Sequence, residues 1–212
     1  MSVVICQCQS YRRIVQKKIE EVRSACSQAA IPCVIVPDLC YLSAKDQESL
    51  RRLAGAEVVL ACQPRAVRAL FPDAMRYMDL RTESVDSVMA VVRSVSAAPV
   101  VCEPSSPSSW VPWFPVIDSS RCVQCRKCVD FCLFGVFAVD GASVKVAQPD
   151  HCKTDCPACA RICPQNAIIF PKSEEPRLNG SLAEPVTPSP MDRAAFRERL
   201  KHRKLRLFKE DD

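Results

Sequence analysis

Eight cysteines in two tight runs constrain this chain more than anything else in its 212 residues. The first run is Cys122-x2-Cys125-x2-Cys128-x3-Cys132, and the second is Cys152-x3-Cys156-x2-Cys159-x3-Cys163-Pro164. Three cysteines two apart wrap a tight loop around one inorganic cube, each thiolate reaching a different iron. The fourth is expected to open a short helix that points away, toward a second cube. Read this way, one [4Fe–4S] cluster, A, takes Cys122, Cys125, Cys128 and Cys163, and a second, B, takes Cys152, Cys156, Cys159 and Cys132. Crossed ligation makes the two runs one cooperative unit about a pseudo-twofold axis. Paired C-x2-C elements also build four-cysteine zinc sites. A tetrahedral ion needs a separated second pair, however, so the spacing favours iron–sulfur over zinc.

The wider composition narrows the possibilities. Fifteen cysteines is an odd number, and their clustering argues for metal rather than a disulfide framework. No stretch approaches the ~20 apolar residues that span a bilayer, and Met1 to Arg13 lacks the apolar core and cleavage site of a signal peptide. The expected location is therefore cytoplasmic, where thiols stay reduced. Charged residues at 25% and hydrophobic ones at 48% suit a soluble globular chain. None of the four glycines forms a dinucleotide or phosphate-binding loop. Two histidines leave little scope for histidine-based catalysis.

Composition divides the chain into four parts. Residues 1–96 alternate short β-branched runs with helical patterns and are expected to form an α/β domain with a parallel, doubly wound sheet. Its strands are Val3 to Cys6, Cys33 to Val36, Val58 to Ala61 and Met75 to Leu80. Its helices run from Tyr11 to Ala30, from Ser43 (as N-cap) to Leu53, from about Pro64, and from Val85 to Val95. Residues 97–115 hold five prolines and four serines and read as an extended linker whose Trp110, Trp113 and Phe114 pack on a neighbouring surface. Residues 116–171 form a small α+β, ferredoxin-like two-cluster domain. Residues 172–212 are a strap followed by a basic helix-like segment.

The cysteine runs, Cys163-Pro164 and the following Ala167-Ile168-Ile169 resemble the bacterial-type ferredoxins that carry two [4Fe–4S] clusters, over about 50 residues. Two features depart from that pattern. Leu133 stands where the first run usually has proline, and Cys152-Lys-Thr-Asp-Cys156 is one residue longer than usual, enlarging the loop around cluster B without removing a ligand.

The remaining cysteines are Cys6, Cys8, Cys26, Cys33, Cys40, Cys62 and Cys102. Cys26 on an apolar helix face and Cys33 within a strand read as small buried hydrophobes, and Cys102 in the linker carries no signal. Cys6 and Cys8 end the first strand, Cys40 follows the second, and Cys62 closes the third. In a parallel sheet these ends share one edge, where ligands bind. Geometry alone leaves a cluster and four buried thiols equally open. Val4-Ile5-Cys6-Gln7-Cys8, Leu39-Cys40 and Leu60-Ala61-Cys62-Gln63-Pro64-Arg65 resemble the N-terminal cluster-binding domain of the heterodisulfide reductase A subunit family. That resemblance implies a third [4Fe–4S] cluster on Cys6, Cys8, Cys40 and Cys62. Gln9 and Ser10 replace the glycines usual after its Cys-x-Cys, and the family's flavin-binding domain is absent.

From Arg193 to Lys209 the net charge is +7, more than the whole chain's +5. This tail reads as a solvated terminal helix, an arm docking an acidic partner surface, or a nucleic-acid or membrane-surface contact. No nucleophile–base pair or open metal triad is apparent. The functional expectation is a non-catalytic electron-transfer protein: a ferredoxin-like carrier, or a relay subunit of a larger heterodisulfide-reductase-like or flavin-containing redox complex. The alternatives are an iron–sulfur redox or iron sensor binding nucleic acid through the tail, and a reductase acting at the N-terminal site.

Overall fold

The computed structural model describes residues 3–94 and 110–181. Cys102, most of the proline–serine linker and the basic tail lie outside the described residues.

Four short parallel strands organise the N-terminal half: β1 (Val3–Cys6), β2 (Cys33–Val36), β3 (Val58–Ala61) and β4 (Arg76–Asp79), in the order β2-β1-β3-β4. Val3 pairs with Cys33 on one side and Val58 on the other, and Val58 in turn pairs with Arg76. Every residue of β1 and β3 is buried. Continuous apolar runs in the two central strands are what a parallel sheet covered by helices requires. Helices α1 (Gln16–Gln28) and α5 (Val85–Arg93) pack together and bury Ile19, Val22 and Cys26 with Val88, Met89 and Val92. A second group comprises α2 (Leu39–Lys45), α3 (Gln47–Arg52) and α4 (Pro64–Leu70). Pro64 starts α4, where its missing N–H costs nothing.

Two expected helices are corrected. The first begins at Gln16, not at Tyr11. Ser43 to Leu53 is not a single helix capped by Ser43. Asp38 and Asp46 cap two shorter ones, accepting from the backbone N–H groups of Cys40 and Tyr41 and of Ser49. Aspartate is a strong N-cap, and Asp46 both ends α2 and restarts the chain as α3. Cys33 also departs from expectation, being only half-buried.

The C-terminal half is built from two antiparallel pairs. β5 (Val116–Ile117) pairs with β8 (Ile168–Ile169), and β6 (Phe137–Asp140) turns through Gly141 into β7 (Ser143–Val146). Two five-residue helices, α6 (Lys127–Phe131) and α7 (Ala158–Ile162), pack against each other, and α8 (Pro176–Asn179) closes the described chain. The core here includes Trp113, Val136, Phe137, Val144, Ile168 and Phe170.

The two halves are welded. A third apolar cluster joins Cys40 and Ala66 from the first to Phe114, Val116 and Ile169 from the second. Trp110 and Trp113 contact Tyr41 and Tyr11 at ring-centre distances of 6.2 and 6.4 Å, so the linker aromatics do cover a neighbouring surface. Gly180 follows α8 with φ +87°, and a Cβ there would lie 3.3 Å from Ile169 Cγ2 and 3.4 Å from the Ala66 nitrogen. Only glycine combines that conformation with so close an approach.

Candidate iron–sulfur sites

The C-terminal thiols gather in two places. One cavity, of about 390 Å³, is lined by Cys132, Cys152, Cys156 and Cys159 together with Phe131, Leu133, Phe134 and Phe137. The other is lined by Cys122, Cys125, Cys128 and Cys163 with Val123, Pro164 and Ile168. The last cysteine of each run thus lies with the first three of the other. Backbone geometry explains how. Gln124, Arg126 and Asp155 adopt positive φ of 55°, 61° and 59°, reversing the chain between successive cysteines.

The expectation that the fourth cysteine opens a short helix is corrected. Cys132 closes α6 and Cys163 closes α7, each in an extended conformation. The chain leaves the helix at that residue, and the extended backbone carries the sulfur to the opposite quartet. The Ala167 N–H donates to Cys163 Sγ from 3.3 Å.

Electrostatics agrees with the grouping. Burial, then Cys156 and Cys132, push the Cys152 thiol up. Burial, then Cys152 and Cys132, do the same to Cys159. Burial raises Cys128 too, with smaller contributions from Cys122 and Cys163. Thiols crowded this way resist ionising together unless a cation holds them, and loading such a site releases protons. Among the described residues, no three His, Cys, Asp or Glu side chains close tightly enough on one point to hold a single ion. A zinc site needs four sulfurs at about 2.3 Å from one centre. The four sulfurs around the 390 Å³ cavity suit a polynuclear iron–sulfur group better, while the other quartet encloses only about 20 Å³.

The N-terminal thiols form a third gathering. Cys6 ends β1, Cys8 follows with φ 50°, Cys40 sits in the first turn of α2, and Cys62 comes directly after β3. All four are buried. Burial, Asp38 and Cys8 raise the Cys6 thiol. Burial raises Cys40 against the pull of Lys172, aided by Asp38, Cys62 and Cys8. Burial, then Cys8, push Cys62 up to about 11. The Leu39 N–H lies 3.4 Å from Cys6 Sγ. Cys26 and Cys33 lie elsewhere, Cys26 beside Met89.

Two residues of this site escaped sequence reasoning. Lys172, just beyond β8, reaches into the N-terminal half, where its Nζ lies 2.7 and 2.9 Å from the Asp38 carboxylate oxygens and 3.3 Å from Cys8 Sγ. Burial acts to lower its pKa, yet Cys40, Asp38, Cys8 and Cys6 hold it well above the usual lysine value. Asp38 had a legible signal, an acidic residue between a proline and an apolar helix start. Lys172 had none. Arg65, in the segment after Cys62, turns toward the C-terminal half instead of the N-terminal thiols. Its Nε donates to Asp118 Oδ2 at 2.7 Å and its Nη2 to the Asn166 carbonyl at 2.5 Å.

The two C-terminal thiol groups fit the iron–sulfur proteins of the 4Fe-4S kind, and the comparisons support that class for this half of the chain. The family model described as "4Fe-4S binding domain" matches residues 114–137. An uncharacterised ferredoxin of Methanocaldococcus jannaschii is 43% identical over 70 residues, 32% of this chain and 48% of that protein. The chain therefore spans about half the length of that relative. The pyruvate synthase subunit PorD of the same organism is 30% identical over 86 residues, 38% of this chain and 99% of PorD. A ferredoxin of Methanothermococcus thermolithotrophicus is 41% identical over 54 residues, 24% of this chain and 88% of that protein. The chain belongs to the ferredoxin family. Among the described residues no helix is long and apolar enough to cross a membrane.

Proposed function

We propose that this protein is a three-cluster electron relay, a subunit of a larger redox complex. The observation that carries the reading is the exchange of Cys132 and Cys163 between the two C-terminal quartets. In this reading Cys122, Cys125, Cys128 and Cys163 hold one [4Fe–4S] cluster, and Cys152, Cys156, Cys159 and Cys132 hold a second, within a two-cluster ferredoxin domain of residues 116–171. Cys6, Cys8, Cys40 and Cys62 hold a third on an α/β domain of residues 1–96. The strand order reverses at β1, which fits a doubly wound sheet with the thiols at its carboxyl edge.

When bound, such clusters supply one-electron redox couples, at potentials that range from roughly −700 to +450 mV across proteins. The chain's part is to present ionised sulfurs, exclude water from them and hold the sites rigidly together. Burial of the N-terminal thiols, the N–H groups of Leu39 and Ala167, and the packed seam do this. Full coverage of PorD supports a subunit role. The likeness of the N-terminal cysteine segments to the heterodisulfide reductase A subunit family supports a heterodisulfide-reductase-like or flavin-containing partner.

Iron and acid-labile sulfide in anaerobically purified protein test the reading. About twelve irons per chain are expected, falling by about four in C40S. About eight irons, unchanged in C40S, would leave the N-terminal thiols without a cluster. Zinc without sulfide would overturn the electron-transfer assignment.

A further inference from the structure

Lysine is rarely buried unless it is paired. Lys172 is nonetheless only 3% exposed, and it is the one buried lysine or arginine among the described residues. Its Asp38 partner is fully buried and is committed elsewhere too, accepting from the N–H groups of Cys40, Tyr41 and Ser10. Asp38 therefore stays in place with or without the lysine. Nζ also lies 3.3 Å from Cys8 Sγ and 5.5 Å from the centre of the Tyr11 ring. The lysine arrives from 164 residues beyond Cys8 and 134 beyond Asp38. Its position is secured at the surface, where Arg13 donates from Nη2 to the Lys172 carbonyl at 2.6 Å and from Nη1 to Glu174 at 2.8 Å. A salt bridge serving stability alone would not require placement against a thiol.

We propose that Lys172 is a positioning residue that sets the reduction potential of the group held by Cys6, Cys8, Cys40 and Cys62. The proposal rests on the reading of those cysteines as ligands. Reduction adds one electron from an external donor and breaks no bond. An ammonium fixed beside a ligand sulfur stabilises the reduced form, and the neighbouring carboxylate stabilises the oxidised form. Neither charge is screened by solvent as a surface group would be, and charge and hydrogen bonding at the sulfurs are recognised determinants of cluster potential. Because Lys172 belongs to the C-terminal half, the potential of the N-terminal site depends on the two halves being docked.

The test is an EPR-monitored titration with dithionite of the full chain, purified anaerobically, with iron and sulfide counted in each preparation. In K172M one of three transitions should move negative, with at least a tenfold change in the reduced-to-oxidised ratio at fixed potential (about 59 mV for a one-electron couple). The other two should stay, K172R should recover most of the shift, and D38N should move the same transition positive. A latch that only held the halves together would leave the potentials alone, so K172M and D38N with parental iron and no shift overturn the proposal. A common shift of all three transitions does the same. If K172M does not fold, D38N decides alone: a positive shift of one transition supports the proposal and none refutes it. A parent with about eight irons, unchanged in C40S, removes the ligand reading itself before any Lys172 variant is made.

Discussion

Replacing Arg65 by methionine tests whether the seam between the halves is a structural joint. Methionine keeps much of the apolar stem and removes the guanidinium. Arg65 and Asp118 side chains are 15% and 12% exposed, with Nε and Oδ2 2.7 Å apart. Removing one partner of a buried pair costs roughly 3–5 kcal/mol. Here Asp118 keeps the Ser120 N–H at 3.1 Å, the Ser120 hydroxyl at 2.6 Å and Arg121 at 3.7 Å, and residual exposure adds screening. The cost therefore falls at or below the bottom of that range, about 2–3 kcal/mol. At about 2–4 °C per kcal/mol for a chain of this size, R65M should melt roughly 4–12 °C below the parent, measured anaerobically on the cluster-loaded protein. Burial would raise the Asp118 carboxyl, but hydrogen bonds from Ser120 and Arg65 outweigh it and hold it below the usual range. A lowered carboxylate contributes its stability above its unfolded value of about 3.9 and loses it only as pH falls through the folded value. The R65M deficit should therefore be flat from roughly pH 6 to 8. A cycle with D118N and R65M/D118N should show non-additivity above about 0.5 kcal/mol. Additive effects, or an R65M melting point within a degree of the parent, would refute the joint.

Phe170 is almost fully buried and packs on Trp113 with ring centres 5.3 Å apart. F170A should cost about 3–5 kcal/mol in anaerobic urea unfolding, and a loss under about 1 kcal/mol would show that this core repacks freely. Cys26 favours the Cys33 thiolate and outweighs its burial, and Arg23 helps, bringing the Cys33 pKa down to about 7. Iodoacetamide labelling of this half-buried thiol should rise as pH climbs through about 7. A midpoint nearer the ordinary cysteine value of about 8.5 would contradict that environment.

Much of the protein is local in character and legible from residues alone. The two cysteine runs encode their loops by spacing, because consecutive sulfurs must face one group. Apolar runs such as Val3 to Cys6 and Val58 to Ala61 encode buried parallel strands. Proline at the head of α4 and the periodic valines of α5 mark helices. Where two local signals compete the stronger one decides: Ser43 reads as a cap, but the aspartates at 38 and 46 divide the segment. The spacing suggests that the fourth cysteine of each run opens a helix, whereas it closes one, since spacing records a count and not the direction in which the backbone leaves.

Tertiary structure alone decided which groups meet across the chain. Arg65 contacts Asn166 from 101 residues away and Lys172 contacts Asp38 from 134. No periodicity or motif marks a lone lysine after β8 or an arginine in α4 for such partners. Their pairing follows from how two independently patterned halves dock, and docking depends on the complementary shape and charge of finished surfaces, which exist only once each half has folded.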